Sequence, residues 1–301
     1  MVDISKRCLA TVFFMSLAAF GSEAMAGQLS HKPLKLVKVD DEVYFVEGPG
    51  PTGDGNSGII IGTSGVIVVD LKSTTDLGKA VLAEISKITP KTVTHVILTH
   101  SDADHVNGIA AFPLGLTIIA QENNKKEQET ALAARESSAP PADRLPTLII
   151  KNNEVLSIDG VKVELLHWAP AHTSGDMVIY LPEHRIAFTG DITPSKTGLA
   201  SKYPDPSLHL GKNGSAMGWL ESERGIVSLE ADQFIPGHGD IQTKADIVVQ
   251  LRSGEDKCGK VGAMIKDGKS WDVIKARMGD SRSRQDRPTF TEICYRELVK
   301  K

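Results

Sequence analysis

The segment Thr99–Gly108 constrains this chain more than any other, because it holds four potential metal ligands. They are His100, Asp102, Asp104 and His105. An apolar, β-branched run, Val93–Leu98, comes directly before it and has the pattern of a buried strand. The ligands therefore follow the carboxyl end of a strand, with a helix-like stretch after them. Sheets of α/β proteins bind ligands at that edge, where loops direct side chains over a rigid support.

Imidazole and carboxylate side chains mixed in this way indicate a metal site. Imidazole suits zinc and iron, whereas carboxylates add negative charge and favour harder ions. In a tight turn, alternate residues can face one centre while the adjacent Asp104 and His105 face a second. One loop could thus supply two neighbouring metal sites. The alternative at this stage is a solvated polar turn whose histidines bind nothing.

Three later segments each place a histidine or an aspartate after a strand-like run or in a Gly/Pro turn. They are Pro170–Asp176, Ala187–Asp191 and Ile235–Asp240. Together with the first segment, they resemble the motifs of the metallo-β-lactamase-fold metallohydrolases, a family that includes glyoxalase II. Those motifs read T-H-x-H-x-D-H-x-G, H-T-x-G, G-D and P-G-H-G, and all four occur here in that order, with one departure that matters. The resemblance covers about Val43–Thr243.

The resemblance implies an α/β fold, a four-layer αββα sandwich with helices at the C-terminal end. It also implies two metal sites that share one bridging carboxylate, Asp191. The ligands of the first site would be His100, Asp102 and His172, and those of the second Asp104, His105 and His238. Two divalent ions are expected, zinc first, with iron or manganese as alternatives.

Asp70, at the end of a predicted strand, is implied by the resemblance to support the metal loop through hydrogen bonds. The alternative is an N-cap for the next helix, and the two roles can coexist.

Asp102 is the departure, because the family carries a histidine at this place. Flavodiiron proteins, which share the fold, carry a glutamate there and hold two irons. Aspartate is shorter than either residue, so Asp102 would ligate directly only if the loop moved inward, and otherwise through a water. The substitution leaves the metal and the reaction open.

The leading functional hypothesis is hydrolysis of an ester, thioester, lactone or amide-like bond by a metal-held hydroxide, with Asp104 as the residue that orients it or carries its proton. A β-lactam is a minor candidate substrate, because Asp191 stands where many true metallo-β-lactamases carry cysteine or serine. Two alternatives remain. One is an iron-dependent oxidoreductase with a flavodiiron-like or sulfur dioxygenase-like site, and the other is a metal-binding protein whose first site is incomplete.

The loop 193–214 after Asp191 resembles the family's substrate-contacting segment and supplies the candidate substrate-binding residues. They are Lys202, Tyr203, His209 and Asn213. Lys202 or Lys212 could pair with a substrate carboxylate, and a solvated surface loop is the alternative.

The first residues predict export. Lys6 and Arg7 precede an apolar run, Cys8–Phe20, and Ala24-Met25-Ala26 matches a signal-peptide cleavage site. Residues 1–26 are therefore predicted to be a signal peptide that sends the chain to the periplasm or outside the cell. An uncleaved membrane tether is the alternative.

Residues 27–301 are predicted to form one domain, with a core at about 43–243 and a C-terminal helical cap at 244–301. The net charge of −4 does not suggest nucleic acid as a partner. We expect a small-molecule substrate and no membrane contact after signal cleavage, and the oligomeric state stays open. Cys258 and Cys294 could form a disulfide or remain as two reduced, buried cysteines.

Hydrophobic periodicity predicts the elements around the motifs. Alternation predicts one half-exposed strand over Leu36–Glu47, and helical spacing predicts a helix over Leu77–Ile88. Gln121–Arg135 is charged and predicts a solvent-facing helix. In the cap, helices are predicted at Ala245–Arg252, Trp271–Met278 and Phe290–Val299.

Overall fold

Two β-sheets packed face to face, with helices on their outer faces, form the part of the chain that is described by this computed structural model. It describes residues 34–48, 54–194, 205–280 and 288–300. The predicted signal peptide and two candidate substrate residues, Lys202 and Tyr203, lie outside these ranges.

The first sheet contains seven strands, which lie side by side in chain order. They are β1 (Leu36–Lys38), β2 (Val43–Val46), β3 (Ser57–Ile61), β4 (Val66–Val69), β5 (Val93–Ile97), β6 (Thr117–Gln121) and β7 (Leu148–Ile150). Strands β1–β4 pair antiparallel and β4–β7 pair parallel. Because β4–β7 run in one direction, the loops that follow β4, β5 and β6 meet at the same edge of the sheet.

The single strand predicted over Leu36–Glu47 is wrong, because the chain turns between β1 and β2. The Asp40 side chain accepts hydrogen bonds from the backbone N–H groups of Glu42 and Val43, at 2.8 and 2.6 Å. This turn pairs Leu36 with Val46 in an antiparallel hairpin. The alternation continues through the turn, so periodicity alone does not reveal it.

The second sheet contains five strands in the spatial order β12-β11-β10-β9-β8. They are β8 (Glu154–Ile158), β9 (Val161–Leu166), β10 (Val178–Leu181), β11 (Ile186–Gly190) and β12 (Gln233–Pro236). Only β11 and β12 pair parallel among these strands, so the segments after them emerge together.

The helices are α1 (Thr75–Ile88), α2 (Ala103–Val106), α3 (Glu122–Ala133), α4 (Ala216–Ser228), α5 (Lys244–Lys266), α6 (Trp271–Arg277) and α7 (Phe290–Leu298). The predicted end of the first cap helix at Arg252 is wrong, since α5 continues to Lys266. Gly254 lies within this helix, where packing requires a residue without a side chain. A Cβ atom there would lie 2.5 Å from the Trp219 ring.

The packing defines four layers. Between the sheets, side chains such as Phe45 and Ile97 meet Ile179 and Phe188 in one buried cluster. A second cluster joins the outer face of the first sheet to α1, and a third joins the second sheet to α4, α5 and α7. This arrangement confirms the predicted αββα sandwich with C-terminal helices.

A disulfide joins Cys258 on α5 to Cys294 on α7. Of the two states that the sequence left open, the bonded one is present. In the ranges that the structure describes, no helix is both long and apolar enough to cross a membrane.

Candidate metal centre

Loops from both sheets meet at one edge of the sandwich and bring the predicted ligands together. His100, Asp102, Asp104 and His105 follow β5, Asp191 follows β11, and His238 follows β12. His172 lies between β9 and β10. All seven predicted metal ligands therefore contribute to one cluster, which has two halves.

The first half contains the departure from the family motif. The Asp102 Oδ2 atom lies 3.0 Å from His172 Nε2 and 3.9 Å from His100 Nε2. Asp191 Oδ2 lies 3.8 Å from His172 Nε2 and 3.9 Å from His100 Nε2. The short Asp102 side chain thus reaches the point that both histidines face.

The second half contains the motif residues without substitution. His105 Nε2 and His238 Nε2 lie 3.3 Å apart, and Asp104 Oδ2 lies 3.7 and 3.3 Å from them, respectively. Asp191 reaches this half as well, with Oδ1 at 3.5 Å from His105 Nε2 and Oδ2 at 3.5 Å from His238 Nε2. Its carboxylate therefore faces both halves.

These atoms fit metal ions. Among the described residues, the buried His100 Nε2 and Asp191 Oδ1 atoms have no hydrogen-bond partner. Buried polar atoms without a partner are costly, which indicates that something else binds them. Zinc with ligands at 2.0–2.2 Å holds neighbouring ligand atoms roughly 3.3–3.6 Å apart in a tetrahedron. Most separations in the cluster lie close to this range.

The electrostatics of the cluster favour bound positive charge. Burial lowers the pKa of His100 to about 4. Burial is the largest single influence on His172 and opposes its protonation, but the hydrogen bond with Asp102 and the charges of Asp191 and Asp102 together raise its pKa to about 10. Burial likewise opposes protonation of His238, but Asp191 and Asp104 together outweigh it and raise the pKa to about 11. The aspartates therefore stabilise positive charge between the histidines, as a metal cation would supply it.

Asp70 orients a histidine of the second half. Its Oδ2 atom accepts hydrogen bonds from His105 Nδ1 at 2.8 Å and Thr99 Oγ1 at 2.7 Å, and its Oδ1 atom accepts one from Thr99 N at 2.8 Å. The alternative N-cap role is wrong, because Thr74 caps α1 by accepting from Leu77 N at 3.2 Å. With Nδ1 occupied, His105 presents Nε2 to the cluster.

Glu127 on α3 joins two loops of the first half. It accepts hydrogen bonds from the hydroxyls of Ser101 and Ser174, at 2.5 and 2.6 Å. Ser101 directly follows His100 in sequence, and Ser174 follows His172 after Thr173. The sequence analysis missed Glu127, because a charged helix looks solvent-facing, and no motif in the sequence marks the residue.

Asn56 and Lys72 join the loops of the second half, and the sequence analysis missed both. Asn56 N donates to Gly237 O at 2.6 Å, and Asn56 Nδ2 donates to Pro236 O at 2.9 Å. The fully buried Lys72 donates to the Val46 and Gly55 carbonyls at 2.7 and 2.5 Å. Gly55 lies against the His105 ring, where a Cβ atom would come within 2.4 Å.

Two of the four candidate substrate-binding residues, His209 and Asn213, lie in the described part of the chain. His209 Nδ1 lies 3.4 Å from Asp102 Oδ1, and its side chain is half-exposed. Asn213 is exposed and ends a short 3₁₀ helix, Leu210–Lys212, with a φ of 57°. Lys212 Nζ, which could have paired with a substrate carboxylate, instead lies 2.6 Å from Asp102 Oδ1.

The sequence profile of the metallo-beta-lactamase superfamily matches residues 50–238. The chain therefore belongs to this superfamily, as the four motifs predicted.

Individual relatives are more distant. A linear primary-alkylsulfatase from Pseudomonas sp. (strain ATCC 19151) is 24% identical over 67% of this chain and 43% of its own length. A type 2 metallo-beta-lactamase from Bacillus sp. (strain 170) is 29% identical over 63% of this chain and 68% of its own. The structure of an inverting sec-alkylsulfatase from Pseudomonas sp. superposes with a TM-score of 0.71 at 18% identity, covering 88% of this chain and 50% of that one. The chain thus spans about half the length of the alkylsulfatases, whose likeness shows the fold.

Proposed function

We propose that this protein is an exported hydrolase that uses two divalent metal ions, zinc first, to cleave a bond in a small molecule. The observation that carries the proposal is the convergence of four histidines and three aspartates at one sheet edge, with buried ligand atoms that lack protein partners. The superfamily relatives named above are metallohydrolases, which supports the same reaction class.

Different residues would have different roles in such a reaction. Two bound divalent ions would lower the pKa of the attacking water to about 7 and polarise the bond to be cleaved. Asp191 faces both halves of the cluster and fixes their separation. Asp104 turns Oδ2 towards His105 and His238, and we assign to its carboxylate the proton of the attacking water.

The bond is proposed to be an ester, thioester, lactone or amide-like bond. One relative is named for alkyl sulfates and another for β-lactams, so sulfate esters and β-lactams join the candidates for this chain. The β-lactam stays a minor candidate because of Asp191, as argued from the sequence.

Export is part of the proposal. The charged start, apolar run and Ala24-Met25-Ala26 site within residues 1–26 support it. The Cys258–Cys294 disulfide supports it independently, because disulfides persist in oxidising compartments.

The test combines metal content with a substrate panel. The protein is purified without added metal, analysed for elements, and assayed with esters, thioesters, lactones, β-lactams and alkyl sulfates. We expect two zinc ions per chain and hydrolysis of at least one class. Asp191→Asn should abolish the activity, whereas Asp232→Asn, which alters an exposed ion pair with Arg185, should not. A zinc-loaded protein that is inert to the whole panel would contradict the proposal.

An iron-dependent oxidoreductase is the second candidate, and Asp102 favours it. Two histidines with Asp102 and Asp191 form the kind of mixed imidazole and carboxylate set that non-haem iron uses. Iron in the purified protein together with oxygen consumption would favour this candidate. One ion per chain would favour the alternative of an incomplete first site.

A further inference from the structure

The two oxygens of Asp102 face different partners. Oδ2 faces His172 and His100 inside the cluster. Oδ1 faces outwards and accepts a hydrogen bond from Lys212 Nζ at 2.6 Å. Lys212 Nζ also donates to the Ser101 carbonyl at 3.0 Å, so it contacts two consecutive residues of the metal loop.

The backbone around Lys212 is attached to the loop that carries His172. Ser174 N donates to Lys212 O at 2.8 Å, and His209 N donates to His172 O at 2.7 Å. The Lys212 ammonium consequently ties the Asp102 loop to the His172 loop, two parts of the first half. Its side chain is only 23% exposed, as is that of Asp102, so water screens the pair incompletely.

The contact between Lys212 and Asp102 also changes the formal charge of the cluster. The motif of the family has a neutral histidine at this place, so its cluster carries two aspartate charges. With Asp102, three aspartates face the cluster, and the Lys212 ammonium returns the net charge to minus two. The cluster thus keeps the net charge that the family motif gives it, although one ligand differs.

We propose that Lys212 is a positioning residue that lets Asp102 take the place of a histidine ligand, because its hydrogen bond to Oδ1 turns Oδ2 towards His172. His209 Nδ1, which lies 3.4 Å from Oδ1, is placed to give the same oxygen a second contact. This inference rests on the proposed metal binding. It predicts that Asp102 and Lys212 depend on each other.

A double-mutant cycle tests this dependence. The set is the parent, Lys212→Met, Asp102→His and the double variant, with Lys212→Arg as the conservative change. Lys91→Met is the matched control, because Lys91 Nζ also donates to a backbone carbonyl, that of Gly62, at 2.6 Å, but far from the cluster. The measurements are zinc stoichiometry, the dissociation constant of each ion in competition with a chelator, and the visible spectrum of the cobalt-substituted protein.

We expect Lys212→Met to raise the dissociation constant of one of the two ions by about 10- to 100-fold. In the cobalt-substituted protein, only the absorption bands of one cobalt ion should change. In the Asp102→His background the same change should leave the affinity for both ions unaltered, because the imidazole has no Oδ1 atom for Lys212 to hold. Lys212→Arg should recover most of the affinity, and Lys91→Met should match the parent.

Each other outcome contradicts the inference in a distinguishable way. Equal losses from Lys212→Met in both backgrounds would reduce Lys212 to a structural contact, with the proposed function untouched. An unchanged affinity in Lys212→Met would exclude the role altogether. A parent that binds no metal would overturn the proposed function itself, and this inference with it.

Discussion

The two halves of the cluster are held in place in different ways. In the second half, His105 is fully buried and is oriented by Asp70, which is 2% exposed and follows the central strand β4. In the first half, Asp102 and its partner Lys212 are both partly exposed, and Lys212 belongs to a loop. The second half therefore has a histidine oriented by a buried carboxylate at a strand end, while Asp102 of the first half is held by a partly exposed lysine.

This difference indicates which metal ligands can be substituted without disturbing the surrounding structure. A substitution at His105 would disturb Asp70 and the packing of Gly55 below the ring. The first half accommodates an aspartate because Lys212, at the end of a short 3₁₀ helix, holds its outer oxygen. We expect variants of the two halves to behave accordingly.

The largest effect should come from removing the residue that both halves share. Because Asp191 faces His100 and His172 as well as His105 and His238, Asp191→Ala should lower the affinity for both ions and leave less than one ion per chain. Elemental analysis after dialysis measures this loss, with Asp232→Ala as the exposed control. A variant that keeps one ion at parental affinity would mean that Asp191 serves only one half.

The next effect should be largest in the second half. Asp70→Asn replaces the carboxylate that accepts from His105 Nδ1, so it should weaken the binding of one ion by about 10- to 100-fold. The other ion should be affected less, because Asp70 reaches His100 through the Thr99 hydroxyl, which lies 2.9 Å from His100 Nδ1. Competition titration with a chelator measures both constants. Asp159→Asn is the matched control, since Asp159 accepts from the Ser64 hydroxyl at 2.6 Å, away from the cluster. An equal loss of affinity for both ions would show that the two halves are not supported independently.

Lys72 should make the support of the second half depend on pH. Burial lowers its pKa from 10.5 to about 7. Between these values the unfolded chain holds a proton that the folded chain has lost, so the free energy of unfolding rises with pH. The slope should reach at most ~1.4 kcal/mol per pH unit and disappear in Lys72→Met. Denaturant unfolding at several pH values from 7 to 10 measures it.

Lys91→Met again serves as the control for Lys72, because Lys91 is partly buried and binds a carbonyl. If the parent and Lys72→Met gave parallel profiles, Lys72 would be charged in the folded protein throughout this range.

The sequence predicted the parts of this architecture that are local. Each ligand lies in a short motif whose neighbours also form the turn, so position and chemistry are encoded together, as in His100–His105. The strand boundaries were mostly predicted for the same reason. The hairpin turn at Asp40 and the full length of α5 were not, because a turn inside an alternating pattern and a glycine that packs against Trp219 have no distinct local signal.

The supporting residues could not be predicted, since their roles come from contacts between distant parts of the chain. Asn56 binds a carbonyl 180 residues away, and Lys212 binds Asp102 across 110 residues. A lone lysine or asparagine in a loop has many possible partners. Only the assembled sheets determine which of them it meets.

Glu127 should give the smallest effect, and it tests how firmly helix α3 supports the first half. Glu127→Gln keeps an oxygen acceptor for one of the two serines, Ser101 and Ser174, so about one hydrogen bond is weakened. That corresponds to about 1 kcal/mol, or roughly fivefold in the affinity for one ion. Glu129→Gln, on the same helix but away from those serines, is the control. A loss as large as that of Asp70→Asn would mean that α3 supports the first half as firmly as β4 supports the second, and the contrast between the halves would then be confined to Asp102 and Lys212.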